Sequence, residues 1–80
     1  MQTSILQLSA MKKNVLIKFG QKVRKERMDL GLSQEELAAR AGVHRTYIGM
    51  IERAEKNITL ENIEKLASAL KINIGDFFKS

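Results

Sequence analysis

The sequence predicts an all-α fold: a compact bundle of five short helices. Three observations carry that expectation. Proline is absent from the 80 residues, strand-like alternation is scarce, and apolar residues recur at three- and four-residue steps between strong capping signals. A chain of this length buries one modest core and no second one. With no cysteine, neither a disulfide nor a thiolate metal site can brace that core, and the chain suits a reducing compartment. No apolar run approaches the roughly 18 residues of a membrane span. The opening MQTSILQLSA has no leading positive region, so a cytoplasmic protein without a membrane partner is expected.

The first helix is expected from about Asn14, as cap, to Leu30. Leu16, Phe19, Val23 and Arg27 would share one face, and Gly31 would close the helix in the left-handed conformation. Ser33-Gln-Glu-Glu36 then spells a capping box: the Ser33 hydroxyl for the Glu36 amide, and the Glu36 carboxylate for the Ser33 amide. It opens a short second helix, QEELAARA, ended by Gly42 with Val43 as an apolar plug in the turn. A third helix starts at His44 or Arg45 and runs to about Arg53, with Ile48 and Ile51 inward. After the polar link AEKN, Thr59 caps a fourth whose inward face is Leu60, Ile63, Leu66, Ala67 and Leu70. Asn73 could cap a last turn that carries Phe77 and Phe78. Residues 14–80 form the domain. Residues 1–13 fit no capped pattern and read as either disordered or a short extra helix.

Net charge is +5, and it is unevenly spread. Residues 1–31 hold seven Lys and Arg against two acids, while the remaining 49 residues balance. A basic segment attached to a neutral domain favours a polyanionic partner, of which nucleic acid is the commonest. Two short helices meeting at a glycine turn, residues 34–41 and 45–53, have helix-turn-helix spacing. In that motif the second helix enters the major groove with its first residues toward the base edges.

Residue types agree with that placement. Arg45 and Thr46 stand at the start of the third helix, where arginine can read guanine and threonine offers a hydroxyl and a methyl. Tyr47 could pack its ring at the core edge and still reach the DNA, and Met50 shares the outward face of Thr46. These four are the expected base contacts. Expected on the phosphates are Gln34, His44, Arg53, Lys56 and Asn57. His44, the only histidine, has no metal-ligand spacing and no catalytic partner, so neither a metal, a cofactor nor an enzyme activity is expected. Gly49 costs about 1 kcal/mol in a helix; on the outward face it would permit close approach to DNA. Ile72, Ile74, Phe77 and Phe78 exceed what so small a core can bury and are expected at a dimer interface.

The run GLSQEELAARAGVHRTYIGMIER resembles the Cro/C1-type helix-turn-helix family, and the resemblance continues through NITLENIEKLASALKI to GDFF. HRTYIGMIERAEKNITLENIE is further similar to the controller proteins of restriction-modification systems. The resemblance implies a lambda-repressor-like domain that binds a palindromic operator as a homodimer and regulates its own gene. It also implies side-by-side binding of two dimers, with RNA polymerase as a further partner. By the same resemblance Glu52 pairs with Arg27 as a buried structural ion pair. A phage-type repressor or an antitoxin would share this chemistry, and a basic module for RNA or an acidic protein is the reading of another class.

Overall fold

A computed structural model describes the backbone of residues 5–78 and the side chains of residues 13–78. It contains four α-helices, α1 (Ile5–Asp29), α2 (Gln34–Ala41), α3 (Arg45–Glu52) and α4 (Leu60–Leu70), followed by a 3-10 turn, Ile74–Phe78. The expected fifth α-helix is this turn, whose five residues leave no room for an i→i−4 ladder. α1 packs on α3 and on the C-terminal turn, and α2 packs on α3 and α4.

The first helix departs from expectation at its start. It is continuous from Ile5, so Asn14 lies inside it and caps nothing. The expectation for residues 1–4 falls outside the described residues. From Leu16 onward the predicted stripe holds: Phe19 and Val23 are buried, Leu16 is half-buried, and Arg27 continues the same face. Leu37, Ile48, Leu66 and Leu70 complete the centre, each at most 2% exposed. At about 1.5–3 kcal/mol for each such side chain, these residues supply the main cohesion of the domain.

All four helices end in one motif, a left-handed residue followed by an amide that reaches back to a carbonyl five residues earlier. The bonds are Leu32 N to Arg27 O at 3.0 Å, Val43 N to Ala38 O at 3.0 Å, Glu55 N to Met50 O at 2.8 Å and Ile72 N to Ala67 O at 3.0 Å. Gly31 and Gly42 occupy the left-handed positions of the first two, as their sequence context predicts. Ala54 (φ 58°) and Lys71 (φ 59°) occupy the others. Neither carries a sequence signal, because an L-residue adopts this conformation only where packing imposes it.

At the starts, Ser33 and Glu36 form the full capping box, with Glu36 N donating to Ser33 Oγ at 3.0 Å and Ser33 N to Glu36 Oε1 at 2.9 Å. The Ser33 amide holds the Glu36 carboxyl below the usual glutamate value. Thr59 Oγ1 accepts from Asn62 N at 3.2 Å, as expected of a cap. Leu60 does not join the inward face of α4; it is 71% exposed. It stands at the first helical position, and a side chain there leans past the helix start and beyond the elements that cover Leu66, Ala67 and Leu70.

Gly20, which carries no local sequence signal, has the tightest surroundings of the glycines. A Cβ there would overlap the Ile51 carbonyl oxygen and lie 2.9 Å from that of Glu52. Gly20 is on the same stripe as Phe19 and Val23, so a bare backbone is what lets α1 lie against the end of α3. That contact fixes where α3 points.

Candidate nucleic-acid interface

α3 begins at a histidine cap. His44 Nδ1 accepts from Thr46 N at 3.1 Å, which leaves the Nε2–H outside the helix as a free-standing donor. Arg45 and Thr46 follow, both exposed, and Met50, half-buried, lies one turn beyond Thr46. Arg45 and Thr46 border an open groove that is also lined by Ser33, Gln34 and Glu35 at the start of α2 and by Arg53. The first amides of α2 therefore flank the same groove as the first side chains of α3. Helix starts carry partial positive charge and unsatisfied N–H groups, so this surface attracts anions.

Beneath the groove is a polar cluster. Arg27 Nε donates to Glu52 Oε2 at 2.7 Å and Arg27 Nη2 to Glu52 Oε1 at 3.0 Å, a bidentate pair. Arg27 Nη1 donates to the Leu32 carbonyl at 2.8 Å, and Gln34 Nε2 donates to Glu52 Oε1 at 3.1 Å. The side chains of Arg27 and Glu52 are only 12% and 4% exposed, and no buried side-chain polar atom among the described residues lacks a partner. Hydrogen bonding to Glu52 raises the already high pKa of Arg27. The link to Gln34 was not foreseen. It ties an expected phosphate contact to the buried pair while leaving its second amide hydrogen free.

Several expected contacts have occupations of their own. The Tyr47 ring packs against the core, and its hydroxyl accepts from Asn62 Nδ2 at 2.9 Å. That anchors its tip to α4 and assigns it to packing first. Lys56 Nζ sits 5.8 Å from the centre of the same ring, a cation–π contact. Arg53 Nε pairs with Glu55 at 3.0 Å, which raises its pKa, and Asn57 is exposed. Gly49 lines the same groove, but it is buried there instead of open to solvent. A Cβ there would lie 3.0 Å from Arg53 Nη1 and 3.6 Å from Gln34 Oε1, so the space it leaves is shared by the two residues that flank the groove.

Phe77 does not belong to a free interface. It is 4% exposed, with its ring centre 4.8 Å from that of Phe19; it closes the core because the C-terminal turn folds back onto α1. Phe78, stacked 6.2 Å from Phe19, remains 56% exposed. Ile72 and Ile74 are half-buried against the core. Among the described residues no group of His, Asp and Glu has metal-site geometry, and no helix is long and apolar enough to cross a membrane.

Residues 23–77 match a family model described as helix-turn-helix. Control protein C.BamHI of Bacillus amyloliquefaciens is 46% identical over 67 residues, which is 82% of this chain and 83% of that one. Control protein C.MunI of a Mycoplasma species is 40% identical over 68 residues, 81% of this chain and 89% of that one. The crystal structure of the restriction-modification controller protein C.AhdI from Aeromonas hydrophila superposes with a TM-score of 0.77 at 49% identity, covering 79% of this chain and 96% of that one.

Proposed function

Since the chain belongs to the helix-turn-helix family and is similar over four-fifths of its length to named control proteins, we propose that it is a sequence-specific DNA-binding transcription regulator, the controller of a restriction-modification system. One observation carries the mechanism: exposed Arg45 and Thr46 share a groove with the first residues of α2. The start of α3 enters the major groove, where Arg45 and Thr46 read base edges and Met50 meets thymine methyls. Tyr47 contributes at the rim. Gln34, the His44 Nε2–H, Arg53, Lys56 and Asn57 hold phosphates on either side and set the register.

One eight-residue helix covers too little groove for genomic specificity. The chain therefore acts as a homodimer on a palindromic operator, with half-sites about 10 base pairs apart. Phe78, with the exposed parts of Ile72 and Ile74, supplies the interface. Two dimers side by side, one of them meeting RNA polymerase, would let one operator serve activation and then repression. The setting is the cytoplasm.

The direct test is footprinting on the DNA upstream of its own gene, beside which a controller has a methyltransferase and a nuclease gene. Two protected half-sites one helical turn apart are expected. Affinity should fall steeply with salt, by a logarithmic slope of about 0.9 for each phosphate held. Equal affinity for a scrambled duplex would overturn the proposal.

A further inference from the structure

The groove that is to meet a polyanion contains an exposed acid. Glu35, the second residue of α2, lines it beside Arg45, Thr46 and Arg53. Among the described residues its carboxylate joins no cap and accepts no hydrogen bond, and its one ion pair is with Arg45, Glu35 Oε2 to Arg45 Nη1 at 3.5 Å. Both side chains are well exposed, 74% and 67%. In water such a pair contributes almost nothing to stability; the dipole of α2 favours an acid in its first turn, but that preference does not select a carboxylate facing Arg45. An affinity argument does not account for it either, because a carboxylate facing phosphates weakens every DNA complex indiscriminately.

We propose that Glu35 is a specificity-determining residue: it holds Arg45 by Nη1 and repels phosphate, committing the arginine to a base edge instead of the backbone. An arginine on a short eight-residue helix can reach either target. The guanidinium presents donors on two edges. With Nη1 turned to Glu35, the Nε and Nη2 edge stays free for the O6 and N7 acceptors of guanine, a bidentate match. A phosphate drawn to the same arginine would have to approach the Glu35 carboxylate, which a guanine edge need not do. Once DNA excludes water from the groove, the pair also strengthens, since its charges are no longer screened. Glu35 thus lowers affinity for DNA in general and raises discrimination between sequences.

The inference rests on base reading by Arg45, and the experiment separates the two. Wild type selects a duplex from a randomised pool. Affinities for that duplex and for a scrambled one of equal length are then measured at one salt concentration for wild type, Glu35→Gln, Arg45→Ala and the double variant. Glu35→Gln should bind the scrambled duplex several-fold more tightly and lower the selected-to-scrambled ratio by about ten-fold, the value of one good bidentate contact. Arg45→Ala should lower the ratio too, and adding Glu35→Gln to it should change the ratio no further. Equal tightening of both duplexes by Glu35→Gln would overturn the role of Glu35 while leaving base reading intact. A ratio that falls equally in the Arg45→Ala background would do the same, since Glu35 would then act without its arginine. An Arg45→Ala protein with an unchanged ratio would overturn base reading and the role of Glu35 together. Helical circular dichroism of the variants checks that each is folded.

Discussion

At the scale of the residue, Glu52 and Gly49 show how two positions on one helix carry opposite constraints. Glu52 is almost fully buried and takes three hydrogen bonds, two from Arg27 and one from Gln34. Glu52→Gln leaves the Arg27 charge buried without its counter-charge, which costs about 3–5 kcal/mol and should lower the melting temperature by more than about 10 °C. The double variant Arg27→Met, Glu52→Met should recover most of that loss, because removing both charges removes the desolvation cost with them; thermal melts of the two decide it. Gly49→Ala works in the other direction. The new methyl meets the far end of Arg53, an exposed chain that can shift, so the helix gains up to about 1 kcal/mol of propensity. Binding to the selected duplex should nonetheless weaken, because the methyl displaces Arg53 at the groove; calorimetry and a binding titration on one preparation measure both effects. The ion pair was legible only by resemblance. Periodicity places Arg27 on the inner face of α1 but says nothing of what it meets there.

At the scale of the element, the sequence is read most easily where a helix ends with local chemistry. Ser33 with Glu36, Gly31, Gly42 and Thr59 lie where their side chains or their freedom at positive φ predict, since a cap is decided within four residues. Ala54 and Lys71 close their helices with equal geometry and no local sign. Leu60 and Asn14 fail for a related reason: period fixes a face, but it does not fix where along the helix neighbours cover that face, or where a helix starts. Gly20 is the largest omission. Its partner is a carbonyl on α3 that nothing nearby in sequence announces, and a helical glycine alone suggests only a weak position. Gly20→Ala drives a methyl into backbone that cannot swing aside, and overpacking of this kind costs about 1–3 kcal/mol or more. The variant should therefore be less stable in denaturant titration despite its better helix propensity. A gain in stability would show that the α1–α3 seam has slack.

At the scale of the whole molecule, composition and charge favoured a polyanionic partner without deciding it, and the described structure divides the four C-terminal apolar residues that sequence alone grouped together. Phe78 can be changed without opening the core, whereas Phe77 cannot. Phe78→Asp should yield a folded monomer by analytical ultracentrifugation, with operator affinity reduced. Phe77→Asp should lose the fold itself, visible as lost helical dichroism. A Phe78→Asp protein that remained dimeric would place the interface elsewhere. The seam made by Gly20, Arg27 and Glu52 also has a kinetic meaning. It joins parts of the chain 25 or more residues apart, while α2 and α3 meet across a turn of three residues, Gly42 to His44. Loop closure is cheapest for the short turn, so the α2–α3 hairpin can condense first and α1 can dock late. Strengthening the seam would then slow escape from the native state far more than it would hasten arrival, making α1 the clasp that sets the lifetime of the folded protein.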